Sequence, residues 1–159
     1  MEKKYYHYTP ATRLEEIIES GQINLAFKSI NKKTEKPCAW VSTNSLWEQT
    51  ATKIYVDSEG RMCQMKFREQ LEIFGCARIQ VEPKGLFSWQ ALKKIANMDK
   101  KQARLMELKG IQMGGKPSQW FGSLKPITID NWICAEIFDG EKWVEYDSFV
   151  HVNEVHEAA

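Results

Sequence analysis

What the chain has little of narrows it first. Its four cysteines, Cys38, Cys63, Cys76 and Cys134, are scattered with no C-x-x-C pair, which argues against a zinc site and against a disulfide framework. Histidine is scarcer still, with His7, His151 and His156 only, two of them in the last nine residues. No protein-bound catalytic metal is expected. Charge of one sign is not in excess: Lys+Arg 22 against Asp+Glu 21 leaves +1. No global basic field therefore advertises nucleic acid, although a local basic groove stays open. No run of roughly 18 apolar residues occurs, so no membrane span is expected. The opening Met1-Glu2-Lys3-Lys4 has no apolar h-region, so no signal peptide and a cytoplasmic location are expected. Repeats, low-complexity tracts and interdomain linkers are missing too, and 159 residues suit one domain over 1–159.

Aromatic residues, by contrast, are abundant. Six tryptophans are present; most belong in a core, and a few could line a cleft that stacks a base or a nicotinamide. Tyr5-Tyr6-His7-Tyr8 favours a strand. Thr9 then offers an N-cap hydroxyl, Pro10 suits the first helical position, and Leu14, Ile17 and Ile18 give one apolar face up to a C-cap at Gly21. A histidine delivered to a helix mouth, where backbone N–H groups converge, suggests an anion or nucleotide site. The plainer reading is a first β-α unit whose histidine packs beside tyrosines.

Further along, 28–36 is polar and lysine-rich and reads as an exposed loop. Cys38–Ser42 reads as a strand, and Ser45 with Glu48 as a capping box opening a helix to about Ile54. Asp57 to Gly60 reads as a turn, and Arg61–Phe74 fits neither period cleanly. Ala77–Val81 alternates as a strand. Ser88 caps a helix to about Asn97, and Asp99 with Gln102 caps another ending at Gly110. Met113–Pro117 reads as a loop and Trp120–Leu124 as a strand.

Asp139-Gly140 between alternating runs predicts a two-residue hairpin loop joining Asn131–Phe138 to Glu141–Asp147. That register faces Phe138 with Glu141, Glu136 with Trp143 and Cys134 with Glu145. Trp132, Cys134, Glu136 and Phe138 then share a face with Trp143 and Glu145. Ile133, Ala135, Ile137, Lys142, Val144 and Tyr146 form the core side. A carboxylate at Glu136 walled by aromatics is either partnered or raised in pKa; otherwise the face is a wet one with scattered acids. The order of elements argues for one α+β domain.

Three of these segments together resemble the ADP-ribosyltransferase fold, in which an early strand carries His or Arg and a late strand carries Glu. Tyr6-His7-Tyr8-Thr9 with its helix looks like the opening of the DNA-targeting ADP-ribosyltransferase toxins and of the RNA 2′-phosphotransferases. Trp40-Val41-Ser42-Thr43-Asn44 is similar in kind to the second element, and Ala135-Glu136-Ile137 to the strand presenting the toxins' glutamate. The chain departs from that pattern in having no Tyr after the second strand's serine and no Q-x-E or E-x-E before Glu136. It also resembles a group of small bacterial and phage proteins sharing K-P-x-x-W-x-S-T-N-x-x-W-E-x-T-A-x-K, met by Lys36 to Lys53, a likeness that brings no activity with it.

The resemblance implies an ADP-ribosyltransferase-like split sheet and transfer from NAD to a nucleic acid or protein acceptor. His7 would bond a ribose hydroxyl and Glu136 would stabilise the sugar cation or activate the acceptor. Trp40 or Tyr8 would stack a ring, and Thr9 belongs to the same opening motif. Ser42, Thr43 and Asn44 would contact ribose or the amide, and Arg78 could hold pyrophosphate. The bland assignments stand beside these: Trp40 in the core, Ser42–Asn44 as a helix approach, Glu48 as a capping-box acid, Arg78 on the surface. Two alternatives stay open, a nucleotide-binding module of phage-host conflict without turnover, and a 2′-phosphotransferase, for which arginines are few.

Overall fold

Tyrosine-rich Tyr5–Pro10 (β1) runs extended and turns directly into the helix Ala11–Ser20 (α1). The structure, a computed structural model, describes residues 2–27, 33–147 and 149. Part of the expected 28–36 loop, and both His151 and His156, lie outside the described residues. Thr9 is not the cap of α1: the strand continues through it and Pro10 takes the N-cap position without a side-chain bond. The helix does not need one, because Ala11 N–H and Thr12 N–H donate to the carbonyls of Gly75 and Phe74, each at 3.2 Å. That closes the helix mouth expected to hold an anion, since its first donors are already used. Gly75 makes the approach possible, for a Cβ there would lie 2.7 Å from that of Ala11, and its φ of +69° favours glycine in any case. Gly21 ends α1 in the left-handed conformation, as expected.

After the short strand Gln22–Ile23 (β2) come Ala39–Ser42 (β3), Ile54–Val56 (β4) and Met62–Gln64 (β5). Phe67–Ile73 (α2) and Cys76–Val81 (β6) follow, so the ambiguous 61–74 stretch is a strand and then a helix. Phe87–Ser88 (β7), Trp89–Ile95 (α3), Lys100–Gln112 (α4) and Trp120–Ser123 (β8) come next. Ile127–Thr128 (β9), Trp132–Phe138 (β10) and Trp143–Glu145 (β11) complete the described strands. Asp99 caps α4 by accepting the Gln102 N–H at 3.0 Å, as expected, but the helix runs two residues past Gly110.

Among the described residues the main sheet has seven strands in the order β11-β10-β6-β1-β3-β8-β7, all paired antiparallel. The molecule is thus one mixed α and β domain. Its chemistry-bearing strands lie side by side at the middle. Leu14 and Ile18 of α1 pack on one sheet face against Ala77, Ile79 and Val81. The opposite face carries Tyr6, Tyr8 and Cys76 under Trp47, Phe67 and Trp143. At the β8 end Trp89 and Leu92 of α3 and Ala103 of α4 pack with Trp120. β6 is covered on both faces, which its alternating text did not announce.

Three further expectations fail, each for a physical reason. No helix forms over 45–54. The carbonyls of Asn44, Ser45 and Leu46 instead accept bonds from Tyr8 Oη, Arg78 Nη1 and Trp143 Nε1. The hairpin register is two residues wider than a two-residue loop gives: Phe138 faces Trp143 and Glu136 faces Glu145. Asp139 causes this, its carboxylate accepting the amides of Glu141 and Lys142 at 2.8 and 2.9 Å. A shift of two preserves the faces, so Glu136, Phe138, Trp143 and Glu145 do share one. Trp132 does not join them, because a bulge before Cys134 turns it into the α1-side core and leaves Ile133 43 % exposed.

Candidate functional site

β1 pairs with β6 along its whole length but with β3 at one position only, Tyr6 opposite Ser42. Where the two strands part, the His7 imidazole fills in, its Nδ1 donating to the Trp40 carbonyl at 2.8 Å. That bond leaves Nε2 as the acceptor of a neutral ring. Desolvation holds the His7 pKa below its ordinary value, against the opposing pull of the Trp40 carbonyl.

A cavity of about 520 Å³ opens beside this parting of strands. Tyr6, His7 and Tyr8 of β1 and Trp40 and Ser42 of β3 form one wall. Glu48, Thr50 and Thr52 come from the segment that was expected to be helical, and Met106, Lys109 and Gly110 from α4. Its volume lies within the range of small-molecule sites, and its make-up of aromatic walls with a few converging polar groups is typical of them.

Glu48 is the polar centre of that wall. Its side chain is buried, with the residue only 5 % exposed. Oε2 accepts from Ser42 Oγ at 2.7 Å. Oε1 accepts from Thr50 Oγ1 at 2.8 Å, Thr50 N–H at 3.3 Å and Trp120 Nε1 at 3.1 Å. Glu48 therefore ties β3, β8 and the intervening segment together, and it is not a capping-box acid. Two glycines admit the end of α4 to this network. A Cβ on Gly110 would overlap the Trp120 ring, and one on Gly115 would sit 3.3 Å from Glu48 Oε1.

Arg78 and Glu136 lie elsewhere. Arg78 is neither a surface residue nor a cavity-lining one: it is 7 % exposed, between the rings of Tyr6 and Trp143 at 4.1 and 4.3 Å. Its Nε donates to Glu136 Oε2 at 2.5 Å and its Nη1 to the Ser45 carbonyl at 2.7 Å. Although burial opposes the charge on Arg78, Glu136 and Tyr8 more than offset it and raise its pKa. Burial likewise pushes the Tyr8 phenol up, so Tyr8 stays protonated and donates to the Asn44 carbonyl.

The expectation that His7, Ser42 and Glu136 line one cleft is thus corrected. The cavity takes His7, Tyr8, Trp40 and Ser42 and leaves out Glu136 and Arg78, and also Thr9, Thr43 and Asn44. Position along the sheet is the reason: Arg78 and Glu136 share the face of Tyr6, Tyr8 and Ser42 but stand on β6 and β10, across β1 from β3, and bind each other there. Thr9 is buried opposite Ala77, Thr43 N–H donates to the Gln119 carbonyl, and Asn44 Oδ1 accepts the Leu46 N–H. Glu48, Thr50, Lys109 and Trp120 escaped the sequence reading. The available signal was the polar text Ser42…Glu48…Thr50 around Trp47, which helix logic absorbed.

No group of three or more His, Cys, Asp or Glu that could hold a metal ion occurs among the described residues. No helix among them is long and apolar enough to cross a membrane. No protein-family model matches the chain, and neither curated proteins nor solved structures give a match.

Proposed function

We propose that the cavity binds a nucleotide, with NAD as the candidate ligand, and that the chain is an ADP-ribosyltransferase acting on a nucleic acid or protein acceptor. The observation that carries this reading is the aromatic-walled cavity beside the parting of β1 and β3, which gathers His7, Tyr8, Trp40 and Ser42 from two strands. Those four include the residues that the resemblance assigns to ribose and to ring stacking. His7 has the right chemistry for a ribose hydroxyl, with a neutral ring whose free nitrogen accepts. Cleavage of the nicotinamide bond builds positive charge on the sugar, and a carboxylate near that carbon lowers the barrier.

A second reading, nucleotide binding without turnover, is favoured by one specific observation. Glu136, the acid that the resemblance implies, is bound to Arg78 outside the cavity. The 2′-phosphotransferase alternative has less support, since Lys109 is the one Lys or Arg lining the cavity among the described residues.

Nicotinamide release separates the two main readings. The purified chain is incubated with NAD and with DNA, RNA and protein acceptors in turn. Transferase function gives acceptor-dependent release; saturable NAD binding with no release under any acceptor gives the binding module. Glu136→Gln that releases nicotinamide like the parent removes Glu136 as the acid in either case.

A further inference from the structure

Of the residues lining the cavity, only Glu48 and Lys109 carry formal charge when His7 is neutral. Every bond that Glu48 receives comes from a neutral donor, namely two hydroxyls, one backbone amide and one indole. No lysine, arginine or histidine lies within ion-pair distance of it among the described residues. Arg78, the buried cation on the same sheet face, is committed to Glu136. A desolvated carboxylate held only by dipoles keeps its charge uncompensated, and that charge acts on whatever enters the adjoining space.

The second observation points the same way. Tyr6, Tyr8, Trp40 and Trp120 all line the cavity, and aromatic faces attract cations through their quadrupoles. Oε1 of Glu48 already accepts three bonds, whereas Oε2 accepts only the Ser42 hydroxyl. A carboxylate has about four lone-pair sites, so Oε2 retains accepting capacity. Lys109 on α4 adds a positive charge to the same cavity. A negative group and a positive group in one aromatic-walled cavity suit a bipolar ligand with a flat cationic end and an anionic end.

We propose that Glu48 is the ligand-reading carboxylate of this cavity and selects a cationic heteroaromatic ring, with Lys109 serving the ligand's phosphates. The proposal deepens the nucleotide reading, on which the phosphate half rests. It also distinguishes the oxidised dinucleotide, whose pyridinium ring is charged, from the reduced one, whose dihydropyridine ring is neutral.

The test is calorimetric titration of the full chain with 1-methylnicotinamide, nicotinamide, NAD and NADH, for the parent and for Glu48→Gln. The parent should bind the cationic ring at least about tenfold more tightly than the neutral one, and NAD more tightly than NADH by a similar factor. Glu48→Gln should erase both preferences. Should that variant fail to fold, the two preferences of the parent still decide. Equal affinity for charged and neutral rings, or no binding of either ring, overturns the role of Glu48. NAD bound without regard to ring charge overturns it while leaving the nucleotide reading intact. A preference for 1-methylnicotinamide with no NAD binding keeps Glu48 and overturns the nucleotide reading.

Discussion

Arg78 shows how one buried charge can organise a site without entering it. Its guanidinium is held by Glu136, by two aromatic faces and by the Ser45 carbonyl, which belongs to the segment leading to Glu48. Removing either partner leaves the other charge desolvated and unpaired, which costs more than the pair contributes net. Arg78→Met should lower stability by about 3 kcal/mol. Glu136→Gln, which keeps a neutral acceptor at a side chain 21 % exposed, should lower it by only about 1 kcal/mol. Urea denaturation of both variants checks the order; equal, small losses would show that Arg78 does not pin the segment.

His7 gives a pH signature at the same scale. Its folded pKa lies below the ordinary 6.5, so the unfolded chain takes up the proton more readily. The His7 contribution is therefore complete above pH 6.5 and is lost as pH falls from there through the depressed folded value. Melting temperature should drop on acidification from pH 7.5 to 5.5, and His7→Gln should flatten that drop. Asp57 and Asp139, whose pKa values are lowered by their hydrogen bonds, act only at more acidic pH and do not confuse the window. A parent whose melting temperature is flat between pH 7.5 and 5.5 would contradict the neutral imidazole.

Among elements, the decisive one is the irregular segment between β3 and β4. Its text has the marks of a capped helix, yet three consecutive carbonyls are claimed by side chains from β1, β6 and β11. Within it Ser42 Oγ and Asn44 Oδ1 each accept a local amide, the competition with helix that Ser and Asn conduct well. No short-range rule could have found donors 33 to 97 residues away. The elements with local causes were legible: β6 from its alternation, α1 from its apolar face and Gly21, α4 from Asp99. Pairing Glu136 on one face with Trp143 was legible too, but not the register, which the Asp139 side chain widened. Of the cavity's lining, His7, Tyr8, Trp40 and Ser42 were named through the resemblance and not through any local rule, whereas Glu48 was hidden behind a capping-box reading that its burial overturns.

Close packing of α4 on this segment yields a prediction of its own. Gly110→Ala places a methyl where the Trp120 ring now sits, and the ring cannot move without releasing Glu48. Stability should fall by about 1–3 kcal/mol and ligand affinity should fall with it. Thermal melts with and without ligand test this; unchanged affinity beside lowered stability would separate α4 from the site.

At the scale of the whole molecule, the sheet assigns separate duties to its two sides. One face packs on α1 and supplies stability through Leu14, Ile79 and Ala135. On the opposite face, β6 and β10 hold the Arg78–Glu136 clamp, and β3 and β8 hold Ser42, Glu48 and Trp120 around the cavity. β1 joins the two halves, lending Tyr6 and Tyr8 to both. The account stands on that cavity being a nucleotide site, so the most direct measurement is calorimetric titration of NAD into the parent and into Ala51→Trp. The indole introduced at Ala51, a lining residue packed beside Tyr6, Tyr8 and Trp47, would occupy cavity space. Saturable one-to-one binding by the parent, and its loss in an Ala51→Trp chain that still melts cooperatively, is the predicted result. No binding by the parent, or equal binding by both, would contradict it.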